Sequence, residues 1–410
     1  MKRFYSLVAA TAILASATQA ADVKKEVKDG MSFKVQDQLR YEGVEQANAK
    51  EDATAITNRF LVGAKYKSGA LSAYVEAINI SALDDSYNDT ENGNGIENYS
   101  VVKDPEQTRL TQAKLMYKGK ALSATFGRDM YTLDGHRYVG HVAWRQMPQT
   151  FDVAALSYTG ISGLNVKAAY VFGRHTVGYY DNLLATHKYD GSYDHGTKTN
   201  SILLNANYKV NKNLTLRAYD YMLSSISDTI GAAVMGKAGD FGYKLEFAEQ
   251  STPSRETFDT TTTPFNDSRY SNIELSYKLS GVKFIAAQET LSGDGTDAFQ
   301  TKWATLHKFN GWADQFLGST PANGLVDTSL AAVYKAKGFG KLAAFYHTFD
   351  ADTGSTDYGS ELDVVYTNKI PAVKGLSYLL KYADFSADAN GGKVDTTKVW
   401  ASLTYKFASK

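Results

Sequence analysis

The sequence predicts an all-β chain, a transmembrane antiparallel up-and-down β-barrel of about 18 strands with inward-folded long loops. Three observations predict it. Apolar and polar residues alternate with period two along most of the chain. Strands repeatedly end in Tyr, pass a short turn and restart on an apolar residue. Short turns alternate with mostly longer, polar connections.

The first element is "MKRFYSLVAATAILASATQAAD". Lys2 and Arg3 give a basic start, Leu7 to Ala17 an apolar run, and Thr18-Gln19-Ala20 a small-residue cleavage site. That pattern reads as a secretory signal peptide, residues 1–20, leaving 21–410 as one barrel domain. The apolar run is too short to span a bilayer as a helix. Removing Lys2 and Arg3 from the 44 basic residues leaves 42 against 44 acidic, so no basic excess points to nucleic acid. Cysteine is absent, so an exported chain of this kind must be held by something other than disulfides.

Strand faces follow in order. In "LNVKAAYVF", Leu164, Val166, Ala168, Tyr170 and Phe172 share one face. "ILLNANY" sets Ile202, Leu204, Ala206 and Tyr208 against Leu203, Asn205 and Asn207. "FGYKLEF" and "LSYLLKY" repeat the pattern. Seven short turns run Tyr66 to Leu71, Tyr117 to Leu122, Tyr158 to Leu164, Tyr208 to Leu214, Tyr277 to Val282, Tyr334 to Leu342 and Tyr366 to Leu376. An eighth, at 236–240, fits the spacing without the Tyr. Nine connections begin near Val44, Ser81, Gly127, Gly173, Met222, Gln250, Leu291, His347 and Asp384. Seventeen connections imply eighteen strands. A closed sheet is the strand arrangement that pairs every backbone polar group within lipid, and the recurring Tyr suits an interface girdle. All six prolines fall in connections, as the ladder requires. The last strand, "VWASLTYKF", resembles the closing strand read by the barrel-assembly machinery, although Ala408-Ser409-Lys410 follow it.

If the apolar face meets lipid and lipopolysaccharide, the other face lines a lumen. It carries Lys34, Arg40, Glu42, Arg59, Lys65, Glu76, Lys114, Arg217, Lys244, Glu246, Glu274, Lys283, Glu289, Glu361, Asp363 and Lys381, most of them expected to pair across strands. The wall candidates are Arg40, Arg59, Glu76, Lys114, Arg217, Lys244, Glu274 and Lys283. Two connections, within 126–156 and 291–327, hold three of the four tryptophans and are expected to fold inward. The stretch 84–95 instead reads as a solvated outer loop, acidic and built of small residues. The candidate constriction is Arg128, Arg137, Arg145, His141, Trp144, Lys302, His307, Lys308 and Trp312. Positive charge there favours anionic solutes; the alternative is that the arginines pair with Asp129, Asp134 and Asp152.

Three blocks carry a family resemblance. The first is Gly127-Arg128, Leu133-Asp134, Arg137, Val139-Gly140, Trp144-Arg145-Gln146 and Gln149-Thr150-Phe151-Asp152. The second runs from Phe299-Gln300-Thr301 through Ala304-Thr305-Leu306-His307 and Phe309-Asn310-Gly311-Trp312-Ala313-Asp314 to Pro321-Ala322-Asn323-Gly324-Leu325. The third is Tyr358-Gly359-Ser360-Glu361-Leu362-Asp363. Together they resemble the alginate-export family of outer-membrane channels and its porin-like relatives. The resemblance implies an eighteen-stranded barrel, a monomer with a trimer left open, and an arginine-lined conduit for an anionic polymer, with Arg128, Arg137 and Arg145 in that role.

No catalytic, metal or cofactor set emerges. The seven histidines are scattered, no Ser-His-acid spacing stands out, and His347 near Asp350 and Asp352 lacks a ligand motif. The expected function is a passive outer-membrane porin-like channel for small hydrophilic, anionic solutes. The alternatives are export of an alginate-like polysaccharide and, further off, a barrel hydrolase or an adhesin.

Overall fold

The computed structural model describes residues 29–48, 50–90, 96–178, 196–255, 266–317 and 319–409. The expected signal segment, His187 and His195 lie outside the described residues. The strands are β1 (Gly30–Gln46), β2 (Ala53–Ser68), β3 (Leu71–Ser86), β4 (Gln107–Lys118), β5 (Leu122–Asp129), β6 (Thr150–Tyr158), β7 (Leu164–His175), β8 (Gly196–Asn211) and β9 (Leu214–Leu223). They continue as β10 (Ser227–Ala238), β11 (Phe241–Ser251), β12 (Ser268–Leu279), β13 (Val282–Leu291), β14 (Leu325–Ala336), β15 (Gly340–Asp350), β16 (Asp357–Lys369), β17 (Leu376–Ala387) and β18 (Thr396–Ala408).

Each strand pairs antiparallel with its chain neighbours, and β1 closes the sheet on β18 from Lys34↔Ala408 to Gln46↔Thr396. The expected eighteen-stranded barrel is therefore the observed one. All eight short turns fall between strands where alternation stops. The tail after Phe407 joins the seam, because Ser409 N donates to Phe33 O at 2.9 Å and Phe33 N donates to Ser409 Oγ at 2.7 Å.

The outward face is apolar and exposed, as in Leu115, Phe126, Ile230 and Leu330, the last 62% exposed. Tyr66, Tyr117, Tyr158, Tyr208 and Tyr277 stand exposed at the turn end. Such a surface is stable in hydrocarbon with interfacial rings at its edge. The packed core lies inside the barrel, where Tyr138, Phe299, Trp303 and Phe316 from the loops meet Tyr219, Tyr270, Phe349 and Trp400 from the wall. Both long loops fold inward, as their rings imply.

Two expectations are corrected. β5 runs on to Asp129, because Gly127 adopts φ 116° against Ala113 O and Arg128 then pairs in the ladder with Asp152; Arg128 is a strand residue. The stretch 84–95 is described to residue 90, and that part is not simply solvated. Tyr87 is buried with Val102 against Val44, Ala53 and Ala55, and its hydroxyl donates to Asp104 O at 2.9 Å. The described part of a third connection, β3–β4, therefore also packs on the wall, through Tyr87 and Val102 against β1 and β2.

Candidate pore constriction

The two inward loops, 130–149 and 292–324, are stitched together by backbone. Gly140 N donates to Trp303 O at 2.8 Å, and Thr305 N to His136 O at 3.0 Å. Val142 N donates to Thr305 Oγ1 at 3.1 Å. Each loop is then pinned to the wall through charge. Arg137 forms a fork on Glu289 of β13, 2.8 and 2.9 Å, and Glu289 also accepts from Tyr270 Oη and Asn310 Nδ2. Arg145 reaches Glu42 of β1 at 3.1 Å and Asp314 at 3.3 Å. Arg40 joins them through Glu42, Asp104 and Trp144 O. Glu361 of β16 accepts the backbone N–H groups of Trp312 and Ala313.

Asp314 is the hub of the second loop, accepting from His307 Nδ1 at 2.6 Å, Lys398 Nζ at 2.7 Å and Arg145. Burial alone would raise its carboxyl, but His307, Lys398 and Arg145 hold it well below the usual range. Lys381 Nζ meets His307 Nε2 at 2.5 Å, which places the ring proton on Nδ1. Burial pushes His307 down to about 3 despite Asp314, so the ring is neutral at pH 7. Trp144 stacks on His307 at 4.6 Å, and Lys381 lies 4.0, 3.7 and 4.9 Å from the Trp144, Trp312 and Trp400 rings. Desolvated cations gain from such faces.

The remaining candidates separate. Arg128 forks onto Asp152 at 2.9 and 3.4 Å, beside His175. Of the three aspartates named for the arginines, Asp152 alone pairs as anticipated; Asp134 takes Arg217 at 2.9 Å and Asp129 takes Lys114 at 2.5 Å. Lys308 is exposed and donates to Gly135 O. His141 accepts from Ala143 N at 3.0 Å. On the wall, Lys34 and Glu76, Lys244 and Glu246, and Lys283 and Glu274 pair at 2.9, 2.5 and 3.8 Å, while Arg59 is buried. His347 is held by Asp327, and no group of three metal-ligating side chains occurs among the described residues.

A cavity of about 650 Å³ opens beside these loops. Its lining includes Lys103, Arg145, Arg174, Lys302 and Lys398, against Asp314 as the single carboxylate among the described lining residues, with Val142, Leu306 and Leu317 as apolar walls. A second cavity of about 510 Å³ shares Arg174 and Lys302 with it. Arg174 crosses between the loops, donating to Gln149 Oε1 and Lys302 O, each at 2.9 Å. Burial and the neighbouring Arg174 charge lower the Lys302 ammonium below its ordinary range. Sequence reasoning missed Arg174, Lys103, Asp104 and Lys398, which lie outside the two ring-rich connections.

A closed eighteen-stranded barrel with an apolar outer band and a charged, loop-filled interior is the architecture of an outer-membrane barrel. The same fold occurs in Pseudomonas aeruginosa OpdO, at TM-score 0.70 and 16% identity over 93% of this chain and 98% of that one. Acinetobacter baumannii OccAB4 matches at TM-score 0.70 and 13% identity over 94% and 100%. P. aeruginosa OpdK, solved with vanillate, matches at 0.69 and 13% over 92% and 99%. No family model matches the chain, and neither does any curated protein. The structural neighbours support a porin-like barrel and not the alginate-export family that the three sequence blocks resemble.

Proposed function

We propose that the chain is an outer-membrane channel for passive passage of small hydrophilic, anionic solutes. The observation that carries this reading is the pair of adjoining cavities, with cations from five separate segments set beside apolar walls in the larger one. Such a lining suits a compact anion with an apolar flank. OpdK in complex with vanillate, an aromatic carboxylate, agrees with that class of solute. Export of an alginate-like polymer draws less support, because Arg128, Arg137 and Arg145 are each engaged by carboxylates. One chain encloses the lumen, so a monomer suffices. The reading places the protein in the outer membrane, against lipid and lipopolysaccharide, inserted through the closing strand β18.

Planar-bilayer recording of the refolded chain tests it. An anion-selective current is expected, and Arg174→Gln with Lys302→Gln should move the reversal potential toward cations. A chain that inserts and passes no current would overturn the reading.

A further inference from the structure

The turn 141–145 combines strained backbone with a titratable hydrogen-bond acceptor. Val142 adopts φ 49°, a left-handed conformation that β-branched side chains rarely take. Three hydrogen bonds hold it there: Ala143 N to His141 Nδ1 at 3.0 Å, Val142 N to Thr305 Oγ1 at 3.1 Å, and Arg145 N to Val142 O at 3.0 Å. The first exists only while Nδ1 carries no proton. The turn also carries the constriction. Val142 and Arg145 line the larger cavity, Trp144 stacks on His307, and Trp144 O accepts from Arg40.

We infer that His141 is a proton-operated latch on this turn. With Nδ1 bare, the strained Val142 conformation is held and Trp144 and Arg145 stay docked. With Nδ1 protonated, the Ala143 N–H loses its acceptor and meets a second donor. Val142 then relaxes toward negative φ, the constriction changes shape, and conduction responds to acid. The last step rests on the channel reading above.

The groups facing His141 favour the bare state. His136 of the same loop lies edge-on at 4.5 Å, and Arg59 of β2 and Lys308 of the β13–β14 loop add positive charge. Burial first, then His136 and Arg59, push the His141 imidazole down to about 4, against an ordinary value of about 6.5. A lowered imidazole stabilises the latched form above pH 6.5, and release grows as pH falls from there toward 4.

The full chain in planar bilayers, taken from neutral pH to pH 4, tests the latch with two variants. His141→Asn puts an amide oxygen near Nδ1 that accepts at every pH, and should lose the part of the acid response that His141 supplies, so that its current changes less than the native chain's between pH 6.5 and 4. His141→Phe has no acceptor and should show at neutral pH the current the native chain shows in acid. An acid response of native size in His141→Asn, or a native-like neutral current in His141→Phe, overturns the proposal. If His141→Phe fails to insert, His141→Asn alone decides.

Hydrogen exchange over residues 141–147, corrected for intrinsic rates, gives a readout that needs no current. It should rise more in acid for the native chain than for His141→Asn. Absence of current with that exchange pattern would remove the channel reading and leave the latch. Current with identical exchange in both would do the reverse.

Discussion

Asp314→Asn is the sharpest test of how the β13–β14 loop is held. The carboxylate is 4% exposed and accepts from His307, Lys398 and Arg145. The amide keeps one acceptor oxygen but leaves Lys398 without this partner, in a nearly buried site at the cavity wall. Removing one member of a buried pair costs about 3–5 kcal/mol. Arg145 retains Glu42 at 3.1 Å, so the lower end applies. Glu361 still holds Trp312 N and Ala313 N, and the barrel ladder is untouched. The loss should therefore appear as local opening of the loop. About 3 kcal/mol raises the open population on the order of a hundredfold. Hydrogen exchange of peptides within 304–316 should accelerate by that factor, while strand amides keep their protection. In the same variant the cavity loses its one described carboxylate, so anion selectivity should rise. Unchanged protection together with an unchanged reversal potential would refute the hub role of Asp314.

Two further outcomes are expected. Leu330, exposed at the middle of β14, should cost about 2–4 kcal/mol as Leu330→Lys if that face meets hydrocarbon near the midplane, read from urea unfolding in vesicles; no loss would mean the face does not meet lipid. Acid should loosen the loop in two stages. The His307 imidazole, lowered to about 3, withdraws its stabilisation as pH falls from about 6.5 toward 3. The lowered Asp314 carboxyl withdraws its own only below about 3.8. Protection of 304–316 should be flat above pH 7 and fall below 6; protection unchanged at pH 3.5 would contradict the assignment.

The fold was legible because each strand states its own environment. Alternation in Leu164–His175 needs no knowledge of a distant partner, and Tyr208 marks a turn by where it stands. The inward course of the two loops was legible for a related reason, since Trp303 and Phe299 must be covered wherever they go. Boundaries were less so: Gly127 looked like a strand end and is instead a close approach to Ala113 O that lets β5 continue. The ring of Tyr87 was overlooked among acidic neighbours, although one buried ring turned its segment inward.

The site was legible only as a set of side chains, because the partners that decide each role are remote in sequence. Arg145 and Glu42 are 103 residues apart, Arg137 and Glu289 152, and Lys398 and Asp314 84. A local cluster of arginines therefore could not reveal whether its charge was available to a solute or already met. The structure answers this for the arginines. Arg128, Arg137 and Arg145, conspicuous in sequence, are met by Asp152, Glu289 and Glu42. That pairing suits Arg137 and Arg145 to fixing the loops and Arg128 to holding β5 on β6, in buried sites where an unpaired charge would be costly. The cavity takes its field from those pairs together with Lys103, Arg174, Lys302 and Lys398, scattered over four connections and strands. Enrichment in sequence thus marks the arginines paired to carboxylates, while the cavity's other cations come from segments far apart in the chain.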